Sequence, residues 1–189
     1  MKLAMIAAAA MLAAYGGAAA TVKEPLDVPV KVYDDVSHLW CISGYMGKPG
    51  NFAVKEWCEE NPHSGKHCIR IRAKGYGSWG GIMWQDPPND WGESDGGYNL
   101  SKANTLVFWA RGEKGGEKVN FYCGGLCGRE RFKDSGSGGT GNVTLTKEWR
   151  RYRIALDWQD LTRIKTPFAF TVGADEMTFY LDDIEYIFQ

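Results

Sequence analysis

Three of the eight tryptophans in this chain, Trp79, Trp84 and Trp91, fall within Gly75–Tyr98, GYGSWGGIMWQDPPNDWGESDGGY, among glycine, proline, asparagine and aspartate. A core has no need of indoles set beside so many turn formers. Flat rings on loops and sheet rims suit the stacking of sugar rings, because indole offers a large apolar face and a polar N–H. The competing use of the same rings is to pack on one another and hold a loop together. Gln85, Asp86, Asn89 and Asp90 supply groups that can read hydroxyls. Trp109, Arg111, Arg151 and Arg153 stand on outward positions of strand-like segments. A stripe of planar donors for hydroxyls or a uronic carboxylate is expected there, although each arginine taken singly is better explained by pairing on a solvated face. Alternation sets Ile82 and Trp84 on one face of Gly80–Gln85, which is also the pattern of a core position for Trp84.

The elements that must carry these residues are short strands. Cys68–Ala73 and Asn104–Gly112 alternate cleanly, and Glu117–Cys123 returns from the turn at Glu113–Gly116 as a hairpin partner. Val30–Trp40 opens with a short strand that the acidic pair Asp34-Asp35 follows, and Phe52–Trp57, Gly80–Gln85, Val143–Leu145, Glu148–Leu156, Phe168–Val172 and Thr178–Phe188 also read as strands. Ile42–Asn51 and Arg129–Gly141 read as loops, and Asp157–Leu161 as one helical turn. Strands at this spacing, with turn signals between them and no interleaved helices, predict an all-β antiparallel β-sandwich.

Residues 1–20 are expected to be a cleaved signal peptide: Lys2, an apolar run over Leu3–Ala14, and small residues up to Ala20. Tyr15 stands where a bacterial lipoprotein carries its lipidated cysteine, so the chain as written takes no lipid there. Residues 21–29 read as an extended leader and 30–189 as one domain. The protein is then exported: periplasmic, at the cell surface or secreted. No second apolar stretch predicts a transmembrane segment. A net charge of −1 gives no reason to expect nucleic acid as a partner. A monomer is expected.

Export permits disulfides. Cys58 and Cys68 flank a turn and can close a hairpin; Cys123 and Cys127 flank two glycines that can bend the chain between them. Cys41 is left over and expected to be buried. Five thiols permit several schemes. Zinc is disfavoured by the spacing.

Several blocks resemble one known family. They are ENPHSGKHCIRI at Glu60–Ile71, WGGIMWQDPPNDWG at Trp79–Gly92, LVFWARGEKGGEKVNF at Leu106–Phe121, LTKEWRRYRIAL at Leu145–Leu156 and TFYLDDIEY at Thr178–Tyr186. Together with the acidic pair Asp34-Asp35 they resemble secreted bacterial jelly-roll domains of the galactose-binding-like, carbohydrate-binding-module type. The resemblance implies two antiparallel sheets with one concave outer face, a glycan partner held there or on the loops at one end, and a structural Ca²⁺ near the chain ends, with Asp182 its first ligand and Asp35 its second. Catalysis is not expected. Glycoside hydrolysis needs two carboxylates roughly 5–10 Å apart, and neither Asp157/Asp160 nor Asp182/Asp183/Glu185 stands out as such a pair. The lyase set that can be assembled, Tyr76, His67 and Arg72, is not called for by any motif.

Overall fold

The computed structural model describes residues 22–36, 39–48, 50–75 and 77–189. The expected signal peptide, with Tyr15, and Tyr76 of the lyase set lie outside these residues. Eleven strands are formed: β1 Val30–Tyr33, β2 Cys41–Gly47, β3 Phe52–Cys58, β4 Cys68–Lys74, β5 Gly80–Gln85, β6 Thr105–Gly112, β7 Lys118–Cys123, β8 Gly138–Thr144, β9 Arg150–Ala155, β10 Ala169–Val172 and β11 Glu176–Ile187. There is no helix among the described residues. Asp157–Leu161 makes a turn in which Gln159 N donates to Leu156 O at 3.0 Å.

Two antiparallel sheets pack face to face as the expected β-sandwich. One runs β3-β4-β11-β6-β9, with β1 also on β11; the other runs β2-β5-β10-β7-β8. β11 is the spine of the first sheet. Its first half pairs with β4 and its second half with β1, while β6 follows it along the other side. The change of partner occurs at a bulge, where Asp183 takes φ 45°. A bulge re-aims side chains and bends its strand, and here it turns the Asp182-Asp183 pair toward the β3–β4 loop.

The core is what alternation predicts. Ile69, Ile71, Leu106, Phe108, Ala110, Phe179 and Leu181 from one sheet meet Ile82, Val119, Phe121, Phe170 and Val172 from the other. Aromatic rings meet edge-on at its centre, as their quadrupoles prefer. Phe170 and Phe179 stand at 89° with centroids 5.0 Å apart.

Trp84 belongs to this core and not to a binding surface. It is 1% exposed and meets Phe168 edge-on at 5.1 Å. β2 and β8, read as loops over most of their length, are strands: their glycines weaken the propensity signal, and pairing with β5 and β7 supplies the order.

Cys58 and Cys68 are buried at the facing ends of β3 and β4. Cys123 lies in the core and Cys127 is exposed. Cys41 is exposed rather than buried.

Trp84→Ala is expected to lower unfolding free energy by about 3–5 kcal/mol, the range for removing a buried large aromatic. Trp79→Ala is expected to change it by less than about 1 kcal/mol, as for surface positions. Urea denaturation of both variants checks this.

Candidate functional site

Two outer sheet faces are available, and the structure treats them differently. The face of the six-stranded sheet carries Trp109, Arg111, Arg151 and Arg153, as alternation requires, but the β3–β4 loop Glu59–His67 folds back over its middle. The His63 ring stacks on Trp109, with centroids 3.7 Å apart and planes at 17°. Trp149 Nε1 donates to Asn61 O at 2.9 Å. Arg111 is only 9% exposed; its guanidinium lies 3.6 Å from the Tyr180 ring centre and donates to Glu60 O at 2.8 Å. The Glu60 carboxylate accepts from Arg70 and from the Tyr180 hydroxyl. The indole face and guanidinium expected to meet a ligand are therefore used within the chain. Arg151 and Arg153 are exposed on the edge strand β9. They face away from the other sheet, whereas Trp79 and Trp91 flank its strand β5.

Asp182 anchors that loop. It is 2% exposed; Oδ2 accepts from His63 N at 2.8 Å and Ser64 N at 3.3 Å, and Oδ1 accepts from Asp183 N at 2.8 Å. Asp183 takes His63 Nδ1 at 2.7 Å and Ser64 Oγ at 2.9 Å. Asp35 accepts from Lys66 N at 2.5 Å and His67 N at 3.1 Å. Burial, with the adjacent Asp183 charge, pushes the Asp182 carboxyl up to about 6. Ca²⁺ takes roughly six to eight oxygen ligands. Asp35 and Asp182 face N–H donors instead, and among the described residues no three His, Cys, Asp or Glu side chains gather to hold a metal ion. The residues present fit loop capping and not the expected cation.

The outer face of the five-stranded sheet is not sealed in this way. Pairing places Gly44 and Met46 of β2, Gly81 and Met83 of β5, Thr171 of β10, and Asn120 and Tyr122 of β7 on it. Glycine keeps the floor low: a Cβ on Gly81 would lie 2.7 Å from Met46 Cε and 2.9 Å from Thr171 Cγ2. Among the described residues the Tyr122 hydroxyl has the Met46 sulfur, at 3.7 Å, as its acceptor, and burial pushes the phenol up to about 12. Asn120 Nδ2 reaches Thr171 Oγ1 at a limiting 3.5 Å. A cleft of ≈ 410 Å³ adjoins them, bounded by Asn120, Tyr122, Gly124, Gly125 and Ser137.

Tryptophans stand at both ends of β5. Trp79, 58% exposed, precedes the strand, and Trp91, 37% exposed, follows it. Six strand residues separate these ends by about 20 Å. Gln85 builds the rim and does not read a ligand: it is 1% exposed, donates from Nε2 to Asp90 O at 2.7 Å, and accepts from Ser43 Oγ at 3.0 Å. Asp90 is likewise committed. It pairs with the buried Lys165 ammonium and accepts from Gly92 N and Ser94 N; these bonds hold its carboxyl below the ordinary range even against burial.

Met46, Met83, Asn120, Tyr122 and Thr171 were not singled out from the sequence. Alternation in KVNFYC already sets Asn120 and Tyr122 opposite Val119 and Phe121, but it does not say which outer face stays open.

Two measurements test the Asp182 anchor. Its folded value is raised, so its stabilising share is full below the unfolded value of about 4 and is lost as pH rises through about 6. The melting temperature of Asp182→Asn, which stays neutral, should gain on wild type between about pH 4 and about pH 7; a difference constant across that window would refute the buried-carboxylate account. Melting temperature should be equal in Ca²⁺ and in EDTA, and a rise with Ca²⁺ that Asp182→Asn abolishes would restore the cation.

No protein-family model matches the sequence, and a search of curated proteins finds no match. Solved structures do match. The chain is similar to the family 30 carbohydrate-binding module of a cellulosomal cellulase of Clostridium thermocellum, at 16% identity and TM-score 0.61, covering 86% of this chain and 98% of that one. A second family 30 module matches at 18% identity and TM-score 0.56, covering 85% and 87%. A family 11 module from Clostridium thermocellum, in complex with a β-1,3-1,4-mixed-linked tetrasaccharide, matches at 16% identity and TM-score 0.53, covering 86% and 98%. At these identities the likeness concerns the fold: the chain has the β-sandwich architecture of carbohydrate-binding modules.

Proposed function

We propose that this is an exported, monomeric, non-catalytic glycan-binding module, and that it holds its ligand on the outer face of the five-stranded sheet. The observation that carries the reading is the contrast between the two faces. One is closed by the chain's own loop, with His63 lying on the Trp109 indole. The other keeps a glycine-floored trough, an exposed Trp79 and a tyrosine hydroxyl whose acceptor is a sulfur. Thioether sulfur is a weak acceptor, and a sugar hydroxyl would be a better partner for Tyr122. The fold shared with modules that include a tetrasaccharide complex supports the same reading.

Trp79 would stack on a pyranose face, Tyr122 and Asn120 would take hydroxyls, and Met46 would provide an adaptable apolar floor. Trp91 would close the far rim. Strands β5 and β10 bring no charged side chain to this face, and β7 brings Lys118 at its start, so the middle of the floor is uncharged, which favours a neutral polysaccharide over a uronic one. Another cleft, ≈ 390 Å³ between the β6–β7 and β10–β11 turns, is lined by Glu113, Lys114, Asp175 and Glu176 and by no aromatic ring; it is unsuited to stacking. Affinity should be modest, because an open, wet trough leaves little surplus over the cost of ordering a chain.

Tryptophan-fluorescence titration against soluble neutral β-glucans and uronic polysaccharides tests the proposal. A saturable shift with a neutral glycan is expected, weakened about 10-fold in Trp79→Ala and less in Tyr122→Phe, with Arg151→Ala binding as wild type. Saturable binding that survives Trp79→Ala but is lost in Arg151→Ala would move the site to the other sheet. Absence of any shift across both classes would leave the fold without this function.

A further inference from the structure

The loop that closes the six-stranded face is bracketed by two cysteines. Cys58 is the last residue of β3 and Cys68 the first of β4, and they are direct register partners across the antiparallel pair. Residues opposed in this way hold their Cβ atoms about 5 Å apart, close to the roughly 4 Å that a disulfide requires. Both side chains are fully buried and pack with Tyr180 in a small cluster outside the main core, against Trp149. Cys68 Sγ lies 3.4 Å from Cys58 O. The other three cysteines show no such opposition in the strand pairing.

We infer that Cys58 and Cys68 form a disulfide that staples the Glu59–His67 loop onto the six-stranded sheet. The oxidant is a disulfide donor, either a small molecule or a thiol–disulfide oxidoreductase, of the kind an exported chain meets. One cysteine thiolate attacks a donor sulfur, forming a mixed disulfide and expelling one donor thiolate. The second cysteine sulfur then attacks the mixed disulfide and displaces the other donor sulfur. The two protein thiols give up two protons and two electrons, and the donor leaves as two thiols. Burial and the neighbouring Cys58 push the Cys68 thiol up to about 12 in the closed hairpin, so attack belongs to the stage before the loop and Trp149 cover the pair. Once formed, the bond holds the ends of the segment that carries Glu60, Asn61 and His63 onto Arg111, Trp149 and Trp109.

The test is mass spectrometry of the full chain refolded from denaturant in oxidised glutathione, then unfolded and alkylated without reductant and cut with trypsin. Cleavage after Lys55, Lys66 and Arg70 places the two cysteines in separate peptides, Glu56–Lys66 and His67–Arg70. The expected product is these two peptides joined, and separated by reductant. Reduction should lower the wild-type melting temperature by several degrees and leave that of the Cys58→Ser/Cys68→Ser variant unmoved. Recovery of both cysteines singly alkylated, or of Cys58 joined to another cysteine, overturns the inference. A joined pair whose reduction leaves the melting temperature unchanged overturns the stapling role.

Discussion

One buried carboxylate determines how this sandwich presents itself. Asp182 lies on the outer side of the central strand of its sheet, where its carboxylate accepts from two backbone N–H groups of the β3–β4 loop and from Asp183 N. A buried carboxylate without such donors is strongly disfavoured, so the loop and the aspartate depend on each other. The bulge at Asp183 makes the arrangement possible by turning the acidic pair toward the loop. Once the loop is in place, Trp109, Arg111, Trp149 and Tyr180 become its seat, and that face is unavailable as a platform.

A second buried charge organises the segment after β5. Lys165 reaches Asp90 and Ser94 O from the segment leading into β10. Asp134 supports the same end from the neighbouring loop, accepting from Leu126 N, Lys165 N, Thr166 N and the Thr166 hydroxyl. Burial raises the Asp134 carboxyl despite these donors. Removing one partner from such a pair leaves an uncompensated buried charge. These contacts therefore fix the long segment after β5, and with it Trp91, as a rigid rim. The polar residues of the tryptophan-rich stretch are largely spent on this construction, which leaves Trp79 exposed just before β5.

The fold class was legible in the chain. Period-two alternation in CIRIRA, TLVFWARG and TFYLDDIEY states both the strand and its inward face, because a strand offers only two sides. β2 and β8 were harder: CISGYMG and GGTGNVT carry glycines that lower intrinsic preference, and their order comes from the strands they pair with. The candidate site was legible only in part. Trp79 and Trp91 are exposed as their turn-rich neighbourhood suggested. Trp84, two positions beyond Ile82, followed the core face instead, and the caution raised by alternation proved the better guide.

What the sequence determined by itself was local: which residues alternate, where turns fall, and which aromatic rings and charges lie outside the core pattern. Only the tertiary structure decided which outer face is covered and which stays open. That choice rests on contacts between residues more than a hundred positions apart, such as His63 with Asp182 and Asp183. Periodicity marks a side chain as outward without saying what will lie over it, because the covering segment is positioned by the folded sheet and not by its own neighbours.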